Sequence, residues 1–213
     1  MKPKDLPYPF TWEKRRPFFK EGIFYVPDYY EGHDPTLLPP LKTFFGNEHP
    51  VHIEYCSGNG EWVIAQAQKC PDWNWIAVEK KFERVRKIYA KGENLGLSNL
   101  LVISGDALIF SREYLPEASI AAAYVNFPDP WPKERHAKHR LIQKPFTNEL
   151  FRTIKRGGTV TLVTDNVPYL EQMQREMEEW KPKKITFDSY GSSYFERLWL
   201  SKGLKIHYLH YER

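Results

Sequence analysis

At 213 residues, with 41% apolar and 27% charged residues, the chain has the composition of one soluble globular domain with room for short extensions. No apolar run approaches the roughly 20 residues needed to cross a bilayer, and Met1-Lys2-Pro3-Lys4-Asp5 lacks the apolar core of a signal peptide. Two cysteines, Cys56 and Cys70, supply neither a disulfide framework nor a four-ligand zinc set, so the expectation is a reduced, cytoplasmic protein that needs no metal.

The net charge of +4 is unevenly spread. Residues 1–20 hold six Lys/Arg against two acids, residues 133–144 hold five against Glu134, and the rest of the chain sums to −4. Any single charge run is ordinarily a solvated surface. Two cationic segments on an otherwise acidic body point instead to an anionic macromolecular partner.

Residues 1–46 are rich in proline and aromatic rings, show little periodicity, and read as an extended basic arm ahead of a domain over 47–213. Regular structure begins with a strand over Val51 to Cys56, a Gly58-Asn59-Gly60 turn and a helix from Glu61. A second strand over Trp73 to Val78 precedes an amphipathic helix carrying Phe82, Val85, Ile88 and Tyr89. Strands follow at Leu100 to Ser104 and Ser119 to Phe127. Helical spacing over Leu141 to Ile154 is expected to stop at Gly157-Gly158. A fifth strand at Thr159 to Thr164, a helix at Pro168 to Trp180, and closing strands at Lys184-Ile185-Thr186-Phe187 and Lys205 to Leu209 complete the reading. Strands alternating with helices imply right-handed βαβ units and a parallel sheet covered on both faces.

Three acids sit at successive strand ends: Glu54, Glu79 and Asp106. Gly58 and Gly60 let the backbone approach a ligand closely, and the helix after them aims its first amides there. Glu79 is placed to accept ribose hydroxyls, and Asp106 an adenine amino group. Val63 stands where a dinucleotide fold wants its third glycine, and Glu54 would repel a pyrophosphate but attract an ammonium. The set favours S-adenosylmethionine over NAD.

The most distinctive stretch is Asn126-Phe127-Pro128-Asp129-Pro130-Trp131-Pro132-Lys133-Glu134-Arg135-His136. Three prolines stiffen a loop at the carboxyl end of a strand, where open α/β sheets place their chemistry. The loop carries one carboxylate and one indole, and Lys133, Arg135, His136, Lys138, His139, Arg140 and Lys144 follow at once. This combination suits an enzyme acting on a base within a polyanion. Trp131 is a candidate stacking platform, while His136 and His139 read as surface or hydrogen-bonding groups.

On these residues, together with Ala107, Leu141 and Thr164-Asp165, the chain resembles the bacterial tRNA (guanine-N7)-methyltransferases, the TrmB type, over roughly residues 50 to 170. The resemblance implies a class I S-adenosylmethionine-dependent methyltransferase (Rossmann-like) α/β fold, with a mostly parallel seven-stranded sheet whose last strand is antiparallel. It implies S-adenosylmethionine as cofactor, tRNA as partner, and methylation at N7 of a guanosine in the variable loop. By the same resemblance Glu54, Gly58, Gly60, Glu79, Asp106 and Asp129 bind the cofactor, with Asp129 also the candidate catalytic residue. Lys133 and Asp165 bind substrate, and Arg135, His136, Ala137, Lys138, His139 and Arg140 touch RNA. A family Thr-x-Tyr/Phe-Glu element has its nearest match in Ser192, Ser193, Tyr194, Phe195 and Glu196, with serine for threonine and an extra residue. Cys56 departs from the family's usual glycine. Monomer and homodimer both stay open. So do two other readings: a methyltransferase of this fold acting on another RNA base, and a catalytically silent RNA-binding module.

Overall fold

The structure, a computed structural model, describes residues 1–8, 16–184 and 193–213. Its centre is a mostly parallel sheet. Strands β3 (Val51–Tyr55), β4 (Asn74–Glu79), β5 (Leu100–Gly105), β6 (Ile120–Asn126) and β7 (Ile154–Thr164) run parallel, and β9 (His207–Glu212) runs antiparallel beside β7. The two-residue strand β8 (Lys181–Pro182) closes that edge. At the other edge β2 (Ile23–Val26) adds in parallel to β5 and carries β1 (Phe18–Lys20) outside it, so the described order is β1-β2-β5-β4-β3-β6-β7-β9-β8. Seven strands thus form the expected sheet, and the N-terminal segment contributes two more.

The pleat sorts side chains onto two faces. Phe24, Ile53, Tyr55, Ile76, Val78, Leu101 and Ile103 pack on one side, against α4 (Ala107–Tyr114), α5 (Lys144–Thr153) and α6 (Val167–Glu176). Tyr25, Trp75, Ala77 and Val102 face the other, under α2 (Glu61–Lys69) and α3 (Phe82–Asn94). β3 and β4 are buried throughout, as strands covered on both faces must be. Among the described residues no helix is long and apolar enough to cross a membrane.

The arm holds more structure than its sequence advertised. Glu21 and Gly22 both take positive φ (52° and 74°), the conformation of a two-residue hairpin turn, and the Ile-Phe-Tyr-Val run after them is wholly buried. Ahead of the hairpin, Leu6 is buried, Tyr8 meets Phe82 edge-on at 4.7 Å, and the Met1 amino group donates to Asn94 Oδ1 at 2.6 Å. A short helix α1 (Leu41–Phe45) ends the segment.

Several boundaries differ from the periodicity reading: α5 starts at Lys144 and not Leu141, and the last strand spans His207–Glu212 and not Lys205 to Leu209. The glycines at 157 and 158 do not stop a helix. Thr153 ends α5, and β7 runs on through both glycines with a register shift opposite Ile120 and Ala122. A Cβ at Gly158 would lie 2.6 Å from the Ala121 carbonyl oxygen, so glycine permits a close strand approach there. The helix expected to reach Trp180 ends at Glu176. The strand expected over Lys184-Ile185-Thr186-Phe187 lies, beyond Lys184, outside the described residues.

Candidate active site

The carboxyl ends of β3, β4, β5, β6 and β7 converge on one edge of the sheet. Glu54, the penultimate residue of β3, is 1% exposed. Its Oε1 accepts from Asn126 Nδ2 at 2.7 Å, and its Oε2 is buried with no partner among the described residues. Burial pushes its carboxyl up to about 7, against the lowering effect of the Asn126 hydrogen bond. A buried carboxylate oxygen without a donor is costly. A ligand that brings an ammonium or N–H to it removes that cost.

The chain then turns tightly. Gly60 (φ 74°) begins α2, and a Cβ there would lie 2.7 Å from Ile88 Cγ1, so only glycine lets the turn lie flat on α3. Lys91 Nζ donates to the Asn59 carbonyl at 2.7 Å and fixes the turn from below. Cys56, where the family's glycine is replaced, takes φ 59°, a left-handed conformation uncommon for a side chain with a Cβ. The turn therefore keeps a glycine-like backbone without the glycine. Burial raises the Cys56 thiol well above its ordinary range, and the carboxylates of Glu79, Asp129, Glu54 and Asp106 raise it further. The negative charge of all four sequence-selected acids is thus felt at Cys56. A small, solvent-open cavity beside Cys56 is lined by Glu54, Gly58, Trp62, Asn126, Phe127 and Phe195, and of the four acids Glu54 alone is in its wall.

Glu79 and Asp106 do structural duty as well. Glu79 accepts from the amides of Gly58 and Lys81, each at 2.8 Å, and burial raises its pKa. It ties the glycine turn to the end of β4, with Arg84 NH1 3.9 Å from its Oε2. Asp106 caps α4: Oδ1 accepts from Leu108 N at 2.9 Å and Ile109 N at 3.2 Å. Its Oδ2 lies 3.5 Å from Lys80 Nζ, which also pairs with Asp28 at 2.7 Å.

The proline loop leaves β6 through Asn126. Phe127 (φ 50°) and Trp131 (φ 43°) are both left-handed, so with Cys56 three non-glycine residues of the site hold a conformation that costs on the order of 1–3 kcal/mol each. Pro128 is buried, while Asp129 and Trp131 are exposed. Asp129 makes no hydrogen bond or ion pair with the described residues, so its carboxylate is available to a ligand. A 3-10 helix, Glu134–His139, carries the basic strip. Lys133, Arg135, Lys138 and His139 are exposed, and the Trp131 ring centroid lies 5.2 Å from that of His139 and 5.9 Å from that of His136. Arg140 differs from the strip it ends. It is 8% exposed, and its guanidinium is bound inside the protein to the Pro130 carbonyl and to Gln172. In this conformation it is almost wholly withdrawn from solvent.

Asp165 follows the end of β7, half-buried, beside the proline loop; the Phe127 amide donates to the Val163 carbonyl at 3.0 Å. Across the cavity stands α7 (Tyr194–Ser201). Ser193 caps it, accepting from Glu196 N at 3.1 Å, and the Glu196 carboxylate accepts from the Tyr208 hydroxyl. Ser193 and Glu196 are thus three residues apart in one capped turn. The Thr-x-Phe-Glu spacing is met by Ser193-Tyr194-Phe195-Glu196 without an extra residue; Ser192 lies outside the described residues. Phe195 comes against Gly58 and the Phe127 ring, centroids 6.5 Å apart, with Arg84 over its face at 5.4 Å. Sequence reading gave no role to Asn126, the donor that joins Glu54 to the proline loop. Its only signal was a polar side chain ending an otherwise apolar strand.

Residues 48–206 match the family model described as "Putative methyltransferase". The tRNA (guanine-N(7)-)-methyltransferase of Chlamydia caviae is 46% identical over 98% of this chain and 96% of its own length. The protein of that name from Brevibacillus brevis is 34% identical over 78% of this chain and 82% of its own. Among solved structures, a 16S rRNA methyltransferase, KamB, superposes with a TM-score of 0.62 over 80% of this chain and 91% of its own, at 16% identity. A likeness at that identity speaks to the fold alone. Full-length identity, the glycine turn, the four acids and the proline loop together place the chain in the tRNA (guanine-N7)-methyltransferase family.

Proposed function

We infer that this protein transfers the methyl group of S-adenosylmethionine to N7 of a guanosine in tRNA, and that the target lies in the variable loop. The observation that carries this reading is the Asn126 bridge. Through it the buried, half-satisfied Glu54 of the cofactor turn is joined to the strained loop that presents Asp129 beside a cationic strip. S-Adenosylmethionine, when bound, supplies an electrophilic methyl group on a cationic sulfur. Glu54 Oε2 meets the ligand's ammonium or an N–H, Gly58 and Gly60 give it backbone clearance, and Glu79 and Asp106 take the ribose and adenine.

Guanine N7 has a free lone pair and no proton, so the reaction needs no general base. The protein's work is alignment and support of a guanine that becomes cationic. Asp129 serves both, accepting from the guanine N1 or N2 donors and lying beside the developing charge. Asp165, Lys133 and the Ser193–Glu196 turn hold the nucleoside and its phosphate. Arg135, His136, Ala137, Lys138 and His139 lie against the RNA backbone, and a salt-sensitive affinity follows from their cations. The target base leaves its stack to enter the cavity.

Asp129→Asn tests the assignment. Removing one charge-bearing acceptor at the reacting base should lower kcat/KM on the order of 10²–10³-fold. Cofactor affinity should change far less, because Glu54, Glu79 and Asp106 remain. Wild-type turnover in this variant would remove Asp129 from the mechanism.

A further inference from the structure

Arg140 ends the basic strip but does not belong to it. Its Nε donates to the Pro130 carbonyl at 2.7 Å, ten residues back in the chain, and its NH1 donates to Gln172 Oε1 on α6 at 2.7 Å. The guanidinium also lies over the Tyr169 ring, 5.0 Å from its centroid. The partners are themselves fixed. Gln172 Nε2 donates to the Ile142 carbonyl at 3.0 Å, Tyr169 OH accepts from Ile142 N at 2.9 Å, and Tyr169 is fully buried. One buried cation therefore closes the segment from Pro130 to Arg140 into a ring and bolts that ring to α6.

The closure matters because of what the ring contains. Pro130 lies between Asp129 and the left-handed Trp131, and a strained backbone persists only where its surroundings over-determine it. Lys133, Arg135, Lys138 and His139 all hang from the same ring. We propose that Arg140 is a positioning residue for methyl transfer: its forked contact with Pro130 and Gln172 sets where Asp129 and the cationic strip stand, and it makes no contact with RNA. This rests on the reading above that Asp129 supports the target base. Arginine suits the role because a planar fork serves two acceptors at once, whereas a lysine ammonium on a flexible stem does not hold both in one geometry.

The test measures steady-state kinetics on tRNA and binding of tRNA and S-adenosylmethionine, well below the melting temperature, for Arg140→Lys, Gln172→Leu and the double variant. A misplacement of about 1 Å is enough for a loss of about 10²-fold, so kcat at saturating tRNA should fall by about 10- to 100-fold in Arg140→Lys. The salt dependence of tRNA binding and the cofactor Kd should stay at wild-type values. Gln172→Leu, at a buried position on another helix, should lower kcat in the same way, and the double variant should be little worse than Arg140→Lys.

The proposal is overturned in any of the following cases. A raised KM for tRNA with a shallower salt slope and an intact kcat would make Arg140 an RNA contact. Wild-type kcat for the folded fraction of both single variants, whatever their melting temperatures, would make the network merely structural. If Arg140→Lys does not fold, wild-type kcat in Gln172→Leu alone decides against it. Arg140 variants with full activity beside an inactive Asp129→Asn would sink this proposal and leave the assignment of Asp129 standing. Full activity in Asp129→Asn would sink that assignment first.

Discussion

Glu54 gives the sharpest quantitative consequence of the site's geometry. Its carboxyl is buried, raised to about 7, and has one oxygen without a donor. A cationic ligand that pairs with this oxygen needs it ionised, so apparent affinity scales with the ionised fraction. With a pKa of about 7, the penalty from protonation is roughly 11-fold at pH 6 and 1.3-fold at pH 7.5, which makes cofactor binding about eightfold tighter at the higher pH. Near pH 7 about half a proton should leave per ligand bound, readable by titration calorimetry in two buffers of different ionisation enthalpy. Glu54→Gln should bind weakly at both pH values and release none, which also controls for titration of the ligand's own amine. The same shift governs stability. A folded-state pKa above the unfolded value of 4.5 stabilises below that value, and the benefit is lost as pH rises through about 7. The loss is on the order of 3 kcal/mol in the ligand-free protein. Glu54→Gln should therefore recover stability at pH 8 relative to wild type, and not at pH 4.5. Equal cofactor affinity at pH 6 and 7.5 in the wild type, with no proton released, would refute this reasoning.

Two other perturbations follow from packing. Gly60→Ala forces a positive-φ alanine whose Cβ would sit 2.7 Å from Ile88 Cγ1. A loss of about 1–3 kcal/mol in urea unfolding is expected, with cofactor affinity falling alongside it. His52 is stacked on Trp73 at 4.2 Å, 3.3 Å from the Tyr124 hydroxyl, and burial pushes it down to about 4. A depressed histidine contributes stability that is present above its unfolded pKa of about 6.5 and lost as pH falls toward the folded value. The stability difference between wild type and His52→Gln should therefore shrink by about 2 kcal/mol between pH 7 and pH 5. A pH-independent difference would show that the native ring accepts a proton as readily as the unfolded one.

The parallel sheet was legible because its strands are short apolar runs separated by helices, as in Val51–Tyr55 and Asn74–Glu79. The N-terminal hairpin was not, since proline and aromatic residues around it hid a four-residue strand whose partner lies some eighty residues away. Gly157-Gly158 misled because a glycine pair punctuates helices and strand crossings alike, and only the Ala121 carbonyl at 2.6 Å decides between them. At the site, the carboxylates could be picked from strand-end positions. That Glu79 and Asp106 also hold backbone amides needed coordinates. Arg140 shows the limit most plainly. In sequence it is one more cation in a cationic run, and only the positions of Pro130, Tyr169 and Gln172 turn it inward.

Methyl transfer from labelled S-adenosylmethionine to unmodified tRNA, with the modified nucleoside identified and mapped, tests the assigned reaction most directly. The proposed function predicts label as N7-methylguanosine in the variable loop, formed on the order of 10²–10³-fold more slowly by Asp129→Asn. Label on another base, or cofactor binding with no label on any tRNA, would contradict it.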